Sequence, residues 1–389
     1  MRELVGNVLI MQIGRPSVMS NVVLAELVKK FLNYECIEEI YGCLNGEQGL
    51  LTKQFVDLAA QPQKDISNLI GTPGAVLRSV DVPNADMSKV AEVLMGENIR
   101  YLFVIGNASA IDFCRKANAA LKKENYELRL MLVPISMDND IPLTDHCLGY
   151  GSVAKHLALL GKAIVADVRS MQTNGAVTII EVKDCDNEWL LASLALARYR
   201  KENGEAPHLV ILSQFDGELF VKNVNNTLRN IGNCVVVVGS KLVNGKGENL
   251  VEQKAPGQYL KSLLETNFDV QIDVVPLHDW RLTSNITLSD ADVRESALCA
   301  QKAVELAITV GITGKMVTLL RADDSKYSSE VNCVDLDSIS DKKKAFPEGW
   351  YISDDMVLDV PFYKYAMPLI VGERSCQFEN GLPVFSKLK

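Results

Sequence analysis

At 389 residues the chain is longer than one hydrophobic core usually serves, so two lobes are expected. Hydrophobic residues at 48% and charged residues at 23% give an ordinary globular balance and exclude a disordered chain. The net charge of −9, with no Lys/Arg-rich stripe, excludes a nucleic-acid surface, which needs clustered positive charge.

The first apolar run, Val8-Leu9-Ile10-Met11, is too short for a secretion signal and reads as a strand over Val8–Ile13. A helix is expected over Asn21–Leu32, then a strand over Tyr101–Gly106, a helix over Ala108–Leu121 and a strand over Leu128–Val133. Apolar positions 153, 157, 160, 164 and 168 follow a 3.6-residue period and predict a helix over Val153–Val168. Strands at Val177–Val182, His208–Leu212, Cys234–Gly239 and Val270–Val275 alternate with helices at Glu188–Arg200 and Leu219–Asn230. Ser289-Asp290-Ala291-Asp292 looks like a capping box opening a long helix that stops at Gly311, and Lys315–Leu320 is the last expected strand. Asp341–Pro347 reads as a charged, exposed connector.

No segment approaches the ~20 apolar residues of a membrane span. Nine cysteines lie far apart with no C-x-x-C pair, which predicts reduced thiols in a cytoplasmic protein. The four histidines, at 146, 156, 208 and 278, form no metal motif. Strand–helix alternation at this spacing implies an α/β fold with mainly parallel sheets covered on both faces. Ligands in such folds bind where strands end, so the loops after Ile13, Gly106, Val133, Val182 and Leu212 are the candidate site.

The loop after Val133 carries the most specific pattern: Ser136-Met137-Asp138-Asn139-Asp140, then Thr144-Asp145 and Gly149-Tyr150-Gly151-Ser152. An Asp at a strand's end can take a proton from an attacking hydroxyl, although Asp138 and Asp140 could equally cap the turn. Gly14-Arg15-Pro16-Ser17, Asn45-Gly46, Gly71-Thr72-Pro73-Gly74, Val104-Ile105-Gly106 and Arg281 with Ser289 and Asp292 accompany it in order. Together these segments, over roughly residues 7 to 321, resemble the phosphofructokinase family, closest to its diphosphate-dependent branch. The resemblance implies two Rossmann-like lobes with the chain crossing between them more than once. It assigns residues 1–140 plus about 250–305 to the first lobe, 141–250 plus about 306–322 to the second, and 323–389 to an extension wrapping them. Asp138 inherits the role of general base, with Asp140 beside it. Gly14, Arg15, Ser17, Thr72, Gly106, Asn107, Ser136, Asn139, Lys183, Asp184, Gln214 and Arg281 inherit ligand contacts. Family relatives assemble as dimers or tetramers, so a homodimer is expected.

The departures fall on the catalytic positions. Where the family has G-G-D-[GD]-S, this chain has Gly106-Asn107-Ala108-Ser109-Ala110, so the carboxylate for Mg²⁺ is missing and Mg²⁺ is not expected in the usual place. Arg15 replaces a phosphate-contacting glycine, the expected arginine falls near Asp81 with Arg78 in a glycine position, and Ile135 occupies the position that distinguishes diphosphate from ATP use. The sugar-contacting M-G-R is Lys183-Asp184-Cys185, and a carboxylate of the sugar site is Gln214. Three readings stay open: a site turned to another small molecule, anionic or amine-bearing, with Asp138 as residual base; a non-catalytic ligand sensor or partner subunit; and a working 6-phosphofructokinase. The acids Asp184, Asp186 and Glu188 suit an amine, or else simply open a helix. The cofactor is not identified by these residues.

Overall fold

A computed structural model describes residues 3–79, 85–171, 175–198, 205–212, 214–251, 255–283, 286–323, 326–374 and 377–389. In chain order the main elements are β1 (Gly6–Ile13), α1 (Val18–Phe31), β2 (Ile37–Cys43), α2 (Gly46–Leu51), β3 (Phe55–Asp57), α3 (Gln63–Asn68), α4 (Met87–Gly96), β4 (Ile99–Gly106), α5 (Ala108–Lys123) and β5 (Arg129–Pro134). There follow α6 (Tyr150–Met171), β6 (Ala176–Val182), α7 (Glu188–Ser193), β7 (Leu209–Ile211), α8 (Gly217–Ile231), β8 (Cys234–Val238), α9 (Pro256–Glu265), β9 (Gln271–Leu277), α10 (Asp290–Glu305), β10 (Lys315–Asp323), β11 (Ser328–Asp335) and α11 (Val360–Ala366). All eight expected strands are present. The weaker amphipathic pieces β2, β3 and β11 had no apolar run long enough to announce them.

The chain divides into two compact units, the first 1–151, 282–344 and 372–389, the second 152–281 and 345–371. In the first, seven strands lie in the order β11-β10-β5-β4-β1-β2-β3. The inner pairs are parallel, while β3 and β11 close the edges antiparallel. Alternate residues of β1 explain the layering. Val8 and Ile10 pack under α1 and α10, whereas Leu9, Met11 and Ile13 pack with Phe113 and Cys114 of α5. A strand buried on both faces reads as a continuous apolar run, which is why β1, β4 and β5 were visible in the sequence.

The second unit holds a four-stranded parallel sheet, β7-β8-β6-β9. Its central strand β8 is Cys234-Val235-Val236-Val237-Val238, buried throughout. Gly311, in the left-handed region at φ 77°, ends the π turn that extends α10, as its position predicted.

The expected lobe boundaries differ from these units. The strand near 306–322 belongs to the first unit, because Lys315 and Met316 of β10 pair with Met131 and Leu132 of β5. Residues 255–281 belong to the second, because β9 pairs with β6 over its whole length. Strand–helix alternation gives the elements but not which strand lies beside which. Nor is 323–389 one wrapping extension. It supplies β11 to the first sheet, residues 345–371 to the second unit, and a last segment that returns to the first. Asp341–Pro347 is not a purely solvated loop either. Lys343 pairs with Asp140 at 3.3 Å, and the Lys344 ammonium donates to the carbonyls of Thr144 (3.2 Å) and Asp145. No described helix is long and apolar enough to cross a membrane.

Candidate functional site

In the first unit the site residues occupy loops at the carboxyl ends of three neighbouring parallel strands. β1 ends in Gly14, at φ +97°, where a Cβ would sit 2.3 Å from Asn107 Oδ1. β4 ends in Gly106, where a Cβ would lie 2.1 Å from the Ile13 carbonyl oxygen. The two loops therefore touch at a separation that only glycine allows.

Ser17 and Asn107 are the N-caps of α1 and α5, accepting from Met19 N (3.3 Å) and Ser109 N (3.1 Å). Their side-chain oxygens thus serve their own helices, and what the loops present is two helix N-termini, which favour anions. Arg15 and Ala108 are exposed beside them. Thr72 is an anchor: its hydroxyl donates to Asn68 O and accepts from Ser386 N, both at 3.0 Å. Buried Asn21 holds the same loop by donating to Thr72 O (2.8 Å) and accepting from Val76 N (2.9 Å). Arg78 is at φ 58°, a conformation that glycine adopts freely. Asp81 lies outside the described residues.

The loop after β5 is internally braced. Ile135 N donates to Gly106 O (2.8 Å), and Ser136 Oγ donates to Asp140 Oδ1 (2.6 Å) while accepting from Asp138 N (3.3 Å). Asn139, fully buried at φ 52°, accepts from Cys147 N (2.9 Å). It is a pin between this loop and the one at 144–149. Asp138 is half-buried beyond the carboxyl end of β5, and Asp140 bonds Ser136 and Lys343.

A charge network beneath this loop was not foreseen. His146, buried, sits between Asp145 Oδ2 (Nδ1, 2.9 Å) and Glu295 Oε2 (Nε2, 2.8 Å). Arg321 adds two hydrogen bonds to Asp145, and Tyr327 and Ser329 donate to Glu295. Burial opposes charge on His146, but the bonds to the two carboxylates outweigh it and raise its pKa to about 9. Burial likewise opposes ionisation of Asp145, yet His146 and Arg321 hold its pKa at about 2. Nearby, Asp292 accepts from Gly149 N at 2.9 Å, tying the start of α10 to the loop. The segment Thr144-Asp145-His146 was visible, but its partner Glu295 lies 149 residues away and only folding supplies it.

The family's Mg²⁺ does not fit this donor set. Ala108 offers no side-chain oxygen, the Asn107 oxygen caps α5, and Asp140 is paired. Among the described residues no three His, Cys, Asp or Glu side chains gather as a metal site.

In the second unit, pairing of β6 with β9 brings Lys183, Asp184 and Arg281 together. Lys183 Nζ pairs with buried Glu181 at 2.7 Å, and its carbonyl accepts from Trp280 Nε1 at 2.8 Å. Asp184, at φ 53°, accepts at its carbonyl from Arg281 Nη2 (2.8 Å), whose guanidinium lies 4.0 Å from the Trp280 ring centroid. Cys185 turns inward, buried, and its carbonyl accepts from Ser240 N (2.7 Å). Asn187 caps α7 through Leu190 N (3.1 Å), so Glu188 does occupy the first turn of a helix. Gln214 is exposed after β7 and bridges Val243.

A phosphofructokinase family profile matches residues 7–306. A pyrophosphate–fructose 6-phosphate 1-phosphotransferase of Halomonas elongata is 28% identical over 376 residues, covering 90% of this chain and 88% of that one. A sulfofructose kinase of Alkalicoccus urumqiensis is 25% identical over 354 residues, covering 88% and 91%. The crystal structure of a pyrophosphate-dependent phosphofructokinase from Marinobacter aquaeolei superposes with a TM-score of 0.90 at 26% identity, covering 99% of this chain and 96% of that one.

Proposed function

Because the chain belongs to the phosphofructokinase family, we propose that it keeps the family's base at Asp138 but serves a small molecule other than fructose 6-phosphate with magnesium diphosphate. The observation that carries this reading is the donor loop. Ala108 stands where a metal carboxylate is needed, the Asn107 oxygen is spent on α5, and Asp140 is held by Ser136 and Lys343. Phosphoryl transfer is largely charge neutralisation by metal and cations, so this loss removes the larger part of the usual rate. Arg15 and the N-termini of α1 and α5 still favour an anion, which keeps an anionic group on the ligand within reach of the reading. Asp138 would accept the proton of an attacking hydroxyl, the work a strand-end carboxylate can do without metal. A cytoplasmic homodimer is part of the proposal, and light scattering on the purified protein checks the dimer.

A second reading, a working diphosphate-dependent phosphofructokinase, is favoured by the relative that aligns over 90% of this chain and 88% of its own length. The sulfofructose kinase among the relatives favours the first, since it is named for a different sugar. The test is fructose 6-phosphate turnover with diphosphate or ATP and Mg²⁺. The expected rate is far below the ~1–100 per second of ordinary kinases, and a rate in that range overturns the first reading.

A further inference from the structure

The second unit contains a cavity of about 560 Å³, at the end of β7 where the start of α8 meets residues 346–356. Its inner wall is apolar and aromatic: Phe215, Phe346 and Met356 are buried, and Tyr351 is half-buried. This wall is fixed in place. Tyr351 OH donates to Val210 O at 2.8 Å, and Phe346 meets Trp189 edge-on with ring centroids 5.0 Å apart. Three carboxylates line the same space, Glu188, Asp216 and Glu348, and none of the described lining residues is Lys, Arg or His. Asp216 and Glu348 are exposed at the rim, while Glu188 is half-buried and close enough to Tyr351 that its charge helps raise the phenol's pKa, after burial.

We propose that this cavity binds an organic cation, an amine or guanidine on a short aliphatic chain. Aromatic faces attract a cation through the ring quadrupole, and carboxylates complete the recognition with charge-assisted hydrogen bonds. The volume lies within the range of small-molecule sites, about 300–1,000 Å³. A sugar phosphate would meet three carboxylates and, among the described lining residues, no cation. A bare divalent ion is disfavoured too, since among the described residues no metal cluster forms here. The inference goes beyond the reading above: it concerns a cavity of the second unit alone and does not rely on Asp138 or Arg15 of the first.

The experiment is calorimetric titration of the full-length protein with agmatine, with pentan-1-ol as the neutral apolar control. Agmatine is expected to bind one site saturably, with pentan-1-ol giving no saturable signal. Glu188→Gln and Glu348→Gln together are expected to weaken agmatine at least tenfold while circular dichroism stays unchanged. Phe346→Leu, which stays apolar but removes the ring, is expected to weaken it several-fold. Absence of saturable agmatine binding, unchanged affinity in the double variant, or pentan-1-ol binding as tightly as agmatine would each overturn the proposal. Ordinary fructose 6-phosphate turnover would instead sink the functional reading and leave the titration to judge the cavity by itself. Failed agmatine binding with no turnover sinks only the cavity proposal.

Discussion

Replacing His146 with Gln should change how stability responds to alkali, because a buried imidazolium bridges Asp145 and Glu295. The native state raises the His146 pKa from 6.5 to about 9, so it holds this proton more tightly than the unfolded chain does. The stabilisation is therefore complete below pH 6.5 and is lost as pH climbs through 9. Each pKa unit is worth about 1.4 kcal/mol, so this group alone makes the fold about 3 kcal/mol more stable at pH 6 than at pH 10. In a unit of roughly 150–250 residues 1 kcal/mol moves the thermal midpoint by about 2–4 °C, giving about 6–12 °C. Thermal melts of both proteins at pH 6 and pH 10 cancel the titrations they share. The midpoint gap between wild type and His146→Gln should narrow by that amount at the higher pH. Asp145 acts in the opposite direction: its contribution is present above pH 3.8 and is lost as pH falls toward 2. A gap that is constant between pH 6 and pH 10 would show that folding leaves the His146 pKa unshifted, and the network would have to be redrawn.

Asp138→Asn should cost any hydroxyl-directed reaction of this protein about 10²–10⁴-fold with its melting midpoint unchanged, and an unaltered rate would reduce Asp138 to a turn residue. Adding Mg²⁺ to diphosphate should give no thermal shift beyond the separate effects of the two. A joint shift that vanishes in Asp140→Asn would mean that the metal site has moved to Asp140. Gly106→Ala should destabilise the protein by about 1–3 kcal/mol, since its Cβ would fall 2.1 Å from the Ile13 carbonyl oxygen, and a denaturation midpoint equal to wild type would contradict that contact. Arg281→Ala should free the turn at Asp184 by removing the bond to its carbonyl, seen as faster amide exchange at residues 183–186. Unchanged exchange would make that hydrogen bond inconsequential.

The apolar runs at β1, β4, β5, β6 and β8 were readable in the sequence because strands buried on both faces are mostly apolar, with few polar residues to interrupt the run. The caps were readable too: Ser289 opens α10 and Gly311 ends its extension, since capping depends on residue type within one turn of chain. So was the cluster of Asp138, Asn139 and Asp140 as a unit, because four or five consecutive residues suffice to build that loop. What each of the three does was decided by folding. Asn139 accepts from Cys147, Asp140 bonds Ser136 and Lys343, and Asp138 is half-buried beyond the carboxyl end of β5. The same holds for the sheet neighbours that moved residues 255–281 and 315–323 between units, and for Glu295 beneath His146. Strand order and buried charge pairing join residues as far apart as Ala176 and Gln271, His146 and Glu295, or Met131 and Lys315, and no local pattern in this chain encodes such a pairing. Local chemistry was written in the sequence; the distant partners, Glu295 for His146 and Lys343 for Asp140, came only with the tertiary fold.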